Sequence, residues 1–430
     1  MLSIIGFATI IVIVILLLQG KVIPIIPLVI IPIIAALVAG FGLSDIGDFF
    51  EDGLSSVINV AVMFIFAILY FGIMQSVGLF DPLINKMIQL TRGNVITISL
   101  GTVVIAAIAQ LDGSGASTFL ITIPALLPLY KRMKMNPYLL LLLIAGSAAI
   151  MNMLPWAGPL GRAASVLDVN VTELWRPLIP VQAIGMVLML VVAFLLGYRE
   201  KKRIERQHGA IDVDFLEEAS ETEQEKESPK LFWFNAILTV LVIAVLVWGV
   251  IPAGFAFMIG VSIALPINYR SVDEQNDSIK THAGSALTMG TIILGAGAFL
   301  GILTGTGMLD SIALDTVKVI PEAISSYIHL IIGVLGMPFD LLLSTDAYYF
   351  ALLPVAEQIG LTFGISSLAT TYAMIIGNIV GTFVSPFSPA LWLALGLAGL
   401  EMGKHIRYSF FWLWGISIAL LIVGLLLGLI

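Results

Sequence analysis

The chain has 430 residues, 59% of them hydrophobic and 11% charged, and a net charge of -8. A soluble fold cannot hide that much apolar surface, so the composition excludes a soluble globular protein and points to an integral membrane protein. No cysteine occurs, which rules out disulfides and thiolate metal sites.

Apolar runs of about 20 residues, each able to cross a hydrocarbon core of ~30 Å as a helix, recur along the chain, while ten-residue alternating strands of a barrel do not. The predicted spans of the first half are 2–20, 23–42, 55–78, a broken region 94–129, 138–160 and 177–198. The first run has no basic leader and no clear cleavage site, so a retained span is expected. From Tyr198 to Lys230 the chain turns basic and then acidic with no apolar period, which reads as a solvated linker. Spans near 231–250, 252–268, 283–305, a broken region 323–357, 364–396 and 408–430 complete the second half. The expected fold is an all-α polytopic membrane protein of two inverted repeats, residues 1–200 and 231–430, joined by a cytoplasmic linker at 201–230. Each repeat has five membrane-spanning helices and one re-entrant hairpin, near 94–129 and 323–357.

Basic residues flanking spans favour the cytoplasm. With Lys131, Arg132, Lys134 and the run Arg199 to Arg206 as anchors, both termini fall outside. Only Arg162, Arg176 and Lys318 then lie on the outer side or at depth, leaving 17 of the 20 basic residues inside (20 minus 3). Internal similarity agrees. Phe71 to Asp81 (FGIMQSVGLFD) aligns with Leu300 to Asp310 (LGILTGTGMLD) at an offset of 229, and an offset of 226 superposes Pro128 on Pro354 and Asn152 on Asn378. An odd number of crossings per half inverts the second repeat, the construction common in transporters with broken helices at the midplane.

Four broken segments are expected to meet there: Asp112 to Thr118, Asn152 to Arg162, Ser344 to Asp346, and Gly381 to Pro389. An ionisable residue at such depth is a functional-site candidate by default, so Asp112 and Asp346 are the candidates for proton coupling and for metal contact. Helix N-termini aimed into the gap favour anions, and hydroxyls, freed carbonyls and carboxylates suit a hard cation. The substrate-binding candidates are Ser114, Gly115, Ser117, Thr118, Asn152, Gly158, Arg162, Ser344, Thr345, Asn378, Ser385 and Ser388. Each has a plainer reading: small residues permit close helix packing, Arg162 snorkels, and Asn152 and Asn378 cap helix breaks. Asp81 and Asp310 read as caps on interfacial helices, and His282, His329 and His405 lack metal-ligand spacing.

The motifs LDGSGASTFLITIPALLPLYKRMKMNP (Leu111 to Pro137), MLPWAGPLGRAA (Met153 to Ala164), GAGAFLGILTGTGM (Gly295 to Met308), STDAYYFALLPV (Ser344 to Val355) and SPFSPALWL (Ser385 to Leu393) resemble the citrate-divalent metal:proton symporter family (CitMHS) of the ion transporter superfamily. The resemblance covers nearly the whole chain. It implies a scaffold domain, a mobile transport domain carrying both hairpins, and uptake of citrate complexed with a divalent metal such as Mg²⁺ or Ca²⁺, driven by protons. It implies no resident cofactor, since the metal travels with the substrate, and no nucleic-acid partner; the bilayer is the other partner, and a homodimer is one candidate assembly. The family pattern after the first break is closer to PWGGPT. Here Ala157 and Leu160 stand for a glycine and a threonine, which removes a hydroxyl and leaves the metal preference open. Two other readings stand beside this one: a proton- or sodium-coupled carrier of another carboxylate, and, more remotely, an intramembrane aspartyl protease built on two membrane Asp residues.

Overall fold

A computed structural model describes residues 1–19, 21–82, 94–208, 231–248, 251–318 and 325–430. Most of the charged linker, with its acidic stretch, lies outside these residues, as does the start of the second predicted hairpin. Eighteen α-helices and no strand occur among the described residues. The helices are α1 (Leu2–Gln19), α2 (Ile25–Val38), α3 (Leu43–Ser76), α4 (Val95–Ala109), α5 (Gly115–Arg132), α6 (Pro137–Met151), α7 (Gly158–Leu167), α8 (Val171–Trp175), α9 (Ile179–His208), α10 (Phe232–Trp248), α11 (Ala253–Asn268), α12 (Val272–Gly305), α13 (Met308–Val317), α14 (Ile328–Asp340), α15 (Leu353–Thr362), α16 (Ser367–Ile379), α17 (Pro389–Ala398) and α18 (Met402–Leu426). Among the described residues, five helical stretches are long and apolar enough to cross a membrane.

Two spans start earlier than predicted. α3 begins at Leu43 rather than 55 and α12 at Val272 rather than 283, because a polar first stretch continues the helix: Asp45 accepts from the Gly42 amide, and Ser271 with Glu274 forms a capping box. Each has 34 residues, and they occupy matching positions 229 residues apart (272 minus 43). Gly78 and Gly307, which follow them at that same offset, both hold a left-handed backbone. Asp310 lies in the first turn of α13, where a carboxylate favours the positive helix end.

Later caps recur at 230 and 231: Ser114 with Ser344 before the second hairpin arms, Asn136 with Ser366 before α6 and α16, and Ala157 with Ser388 before α7 and α17. The recurring caps therefore pair Pro124 with Pro354 and Asn152 with Thr382 rather than Asn378. Asn378 falls one turn earlier on α16. The offset of 226 is one helical turn short, which preserves the helix face and so mimics a true register.

Packing divides the helices into two groups. α3 contacts α11 and α12, and α2 contacts α12; in the other group α4 packs on α6 and α9, α14 on α16, and α18 on both α6 and α16. α3 and α12 meet backbone to backbone, since a Cβ at Gly53 would stand 2.1 Å from the Gly297 carbonyl oxygen and one at Gly301 would stand 2.1 Å from that of Phe49. Small residues of this kind let membrane helices approach closely. α6 is buried on every face from Leu139 to Ile150, as is α16 from Thr370 to Ile379. A helix apolar all round belongs in the middle of a bundle. On the periphery, α2 exposes Ile26, Ile30, Ile34, Leu37 and Val38, and α11 exposes Phe255, Ile259, Ile263 and Ile267, each along one face of its helix.

Candidate functional site

Both buried helices stop part-way and restart as another helix. α6 ends at Met151, turns through Asn152 to Ala157 and resumes as α7; α16 ends at Ile379, turns through Val380 to Ser388 and resumes as α17. The hairpins pack crosswise on these breaks. The second arm of hairpin 1, α5, lies against α17, and the second arm of hairpin 2, the wide turn Ala347–Leu352 with α15, lies against α7. Each half thus completes the other.

Hairpin 1 turns at Gln110–Asp112 and Gly113, whose left-handed φ of 75° reverses the chain. The Ser114 amide donates to Asp112 Oδ1 (2.8 Å), and Ser114 Oγ accepts from the Ser117 amide (3.4 Å) as the cap of α5. Behind the tip, Thr118 Oγ1 donates to Gln110 Oε1 (2.6 Å) and Gln110 Nε2 donates to Asn152 Oδ1 (2.8 Å), tying hairpin to break. Trp156, stacked on Phe71, donates its indole N-H to the Leu111 carbonyl (2.8 Å). A Cβ at Gly115 would lie 2.4 Å from the Phe383 ring, so the tip sits directly on the second break.

Hairpin 2 supplies the site's ion pair. Arg162 on α7 donates Nε-H to Asp346 Oδ1 at 2.7 Å, with the two side chains 9% and 14% exposed. Ser344 Oγ accepts from the Ala347 amide (3.2 Å).

Between the two hairpins and breaks, α3 and α12 enclose a cavity of about 330 Å³, within the range of small-molecule sites. Asp112, Ser114, Gly115, Ser117, Asn152, Gly158, Arg162 and Thr345 line it. Other candidates do not. Thr118 is held by Gln110, Ser344 caps the second hairpin arm, Asn378 is fully buried with its Nδ2 donating to the Gly336 carbonyl (3.3 Å), and Ser385 donates to the Asp340 carbonyl (2.5 Å). Ser388 caps α17, and Asp346 acts on the cavity through Arg162. Sequence reasoning missed Gln75, Trp156, His282, Ser285 and Thr382 in the wall and Gln110 behind it. Gln110 had a readable signal, an amide next to the polar tip; His282, bonded through Nε2 to Ser76 Oγ (3.1 Å), had none beyond its isolation.

A second cavity of about 400 Å³ lies toward the other ends of α3 and α12, lined by Asp52, Ser56, Asp168, Thr304 and Glu357 among others. α7 runs from one cavity to the other, from Gly158 and Arg162 in the first to Ser165 and Asp168 in the second.

Paired hairpins and broken helices around a polar cavity define a multi-pass membrane protein of transporter type. A solved transporter of the same fold, YdaH from Alcanivorax borkumensis, superposes with a TM-score of 0.62 over 90% of each chain at 17% identity. The chain belongs to the citrate transporter family, CitMHS, whose profile matches residues 5–377. Among its relatives in Bacillus subtilis (strain 168), a citrate transporter is 37% identical over 430 residues and the whole of both chains. A Mg(2+)/citrate complex secondary transporter from the same strain is 37% identical over 432 residues, all of this chain and 99% of that one. The protease alternative falls with this membership, and the two acids have separate partners, Ser114 and Arg162.

Proposed function

We propose that this protein is a secondary active transporter of the cell membrane that takes up citrate as its complex with a divalent metal, in symport with protons, by alternating access. The observation that carries the metal complex is the charge of the cavity: Arg162 is its one cationic wall residue among the described ones, and its charge is already met by Asp346. Citrate bears about three negative charges at neutral pH, and desolvating it against a wall that also contains Asp112 would be prohibitive. A chelated divalent cation lowers the charge of the complex to about -1 and brings its own counter-charge. The relative named for a Mg(2+)/citrate complex supports the same reading.

Asp112, Ser114, Ser117 and Asn152 offer oxygens toward the metal, and the amide-rich start of α5 with Arg162 faces the citrate carboxylates. Asp112 and Asp346 are the proton-coupling carboxylates. Replacement of Asp346 by a substrate carboxylate at Arg162 frees Asp346 to take a proton, which links binding to coupling. Alternating access is supported by two cavities at opposite ends of α3 and α12. With the basic anchors inside, the cavity at the hairpin tips, bounded by the last turns of α3 and the early turns of α12, opens inward.

Vesicle uptake of labelled citrate tests substrate, metal and coupling together. Uptake should follow the calculated concentration of metal-citrate as total Mg²⁺ or Ca²⁺ and total citrate are varied independently, and it should fall when the pH gradient is collapsed. Uptake that tracks free citrate and is indifferent to chelator would favour the plain carboxylate carrier instead.

A further inference from the structure

Asp340 closes the first arm of hairpin 2, is 1% exposed, and leaves its Oδ2 without a hydrogen-bond partner. Three elements surround it. From the second break, Gly381 approaches so closely that a Cβ there would lie 2.2 Å from Oδ2, and Ser385 Oγ donates to the Asp340 carbonyl. From α16, the Asn378 side chain lies against the carboxyl, with its own Oδ1 unpartnered. From the wide turn after the tip come the fully buried Tyr348 and Tyr349, and the Tyr349 hydroxyl has no partner either. These two tyrosines are the titratable groups that feel the Asp340 charge; of the cationic side chains in this part of the fold, Arg162 is engaged with Asp346, and His405 of α18 with the Phe383 carbonyl and Ser409. No cation pairs with Asp340 among the described residues.

Hairpin 1 makes the comparison that gives this meaning. At the matching end of its first arm stands Gln110, also fully buried, with its amide bonded on both sides to Asn152 and Thr118. Hairpin 1 therefore meets its break through a group that is always neutral, and hairpin 2 through one that is neutral only when protonated. A carboxylate in that place, fully buried with one oxygen unpartnered and only the neutral Asn378 side chain against it, carries a heavy desolvation cost. The contact also forms the cavity wall, because Thr382 and Phe383 follow Gly381 and Thr345 lies at the hairpin tip.

We propose that Asp340 is a proton-carrying residue of the transport cycle: its neutral acid holds hairpin 2 against the second break, and it releases its proton to water only when the tip leaves the break and the carboxylate is hydrated. This rests on the proton-symport reading above. Acid conditions then favour the docked hairpin, and alkaline conditions favour its separation.

The test uses the full chain in proteoliposomes, with labelled citrate and Mg²⁺, and compares exchange at equal citrate on both sides with net uptake under an imposed pH gradient. Asp340→Asn, or Asp340→Gln as the residue hairpin 1 uses, should keep exchange, lose its pH dependence, and lose gradient-driven accumulation down to the level seen with the gradient collapsed. Asp340→Glu should restore accumulation. The inference is overturned if either neutral variant accumulates citrate with the native gradient dependence, or if a folded neutral variant loses exchange as well. It is also overturned if neither neutral variant folds while Asp340→Glu does, since the acid would then be needed for structure. Native protein that accumulates nothing under a pH gradient, or does so only under a sodium gradient, refutes the symport reading itself, a result distinct from failure at Asp340 alone.

Discussion

Removing the Arg162 side chain should be far more damaging than removing the Arg162–Asp346 pair. At 2.7 Å and an effective dielectric of about 20, the two charges attract by about 6 kcal/mol, most of it offset by the several kcal/mol needed to strip each ion of water. Arg162→Met leaves Asp346, whose side chain is 14% exposed, without a counter-ion, at a cost of about 3–5 kcal/mol. Asp346→Leu strands Arg162 in the same way. The double variant strands neither charge and should sit within about 1 kcal/mol of the native protein, so the cycle should show a coupling of several kcal/mol. Unfolding in mixed micelles by titrated detergent, with purified protein, measures all four corners. Single-variant losses that add to that of the double within about 0.5 kcal/mol would show that the ion pair is absent from the populated state, and would remove the charge-balance basis for a metal-citrate substrate.

Asp112→Asn should abolish or uncouple transport while leaving folding largely intact, since the amide keeps the volume and loses only the titratable group; normal rate and pH dependence of uptake would exclude Asp112 as a coupling residue. In a chain with no native cysteine, Ser220→Cys should resist impermeant thiol reagent in intact cells and react in opened ones; labelling from outside would overturn the orientation. Gly377→Ala would place a Cβ 1.9 Å from the Gly333 carbonyl oxygen, forcing α14 and α16 apart at a cost of about 1–3 kcal/mol. Gly403→Ala, with nothing within 4 Å, is the control, and equal thermal midpoints for the two would contradict the close backbone approach.

Hairpin 1 was legible because Asp112, Ser114 and Ser117 interrupt apolar sequence, and polarity at depth survives any error in helix boundaries. The first break was legible through Pro155 and Pro159, whose missing N-H groups cannot continue a helix. The early starts of α3 and α12 were not, since 43–54 and 272–282 have no apolar run to extend the span inward from their caps. Arg162 and Asp346 are 184 residues apart, and nothing local to either announces the pairing. Asn378 misled for a geometric reason: a shift of four residues keeps the same helix face, so an asparagine one turn away aligns as well as Thr382, the residue that the recurring caps set opposite Asn152. Asp340 was overlooked because it stands alone among apolar residues, without the hydroxyl neighbours that marked Asp346.

The lipid-facing stripes of α2 and α11 have a consequence for the surrounding bilayer. Ile26 to Leu37 and Phe255 to Ile267 each cover about 17–18 Å along the helix axis at 1.5 Å per residue, against a hydrocarbon thickness of ~30 Å. The neighbouring α3 and α12, at 34 residues each, by contrast exceed that thickness. Lipid beside α2 and α11 therefore meets a hydrophobic mismatch and must thin or tilt its chains to meet them, at fractions of a kcal/mol per Å. Acyl-chain length becomes a variable of the protein's environment, and reconstitution into thinner bilayers relieves a strain concentrated on those two flanks.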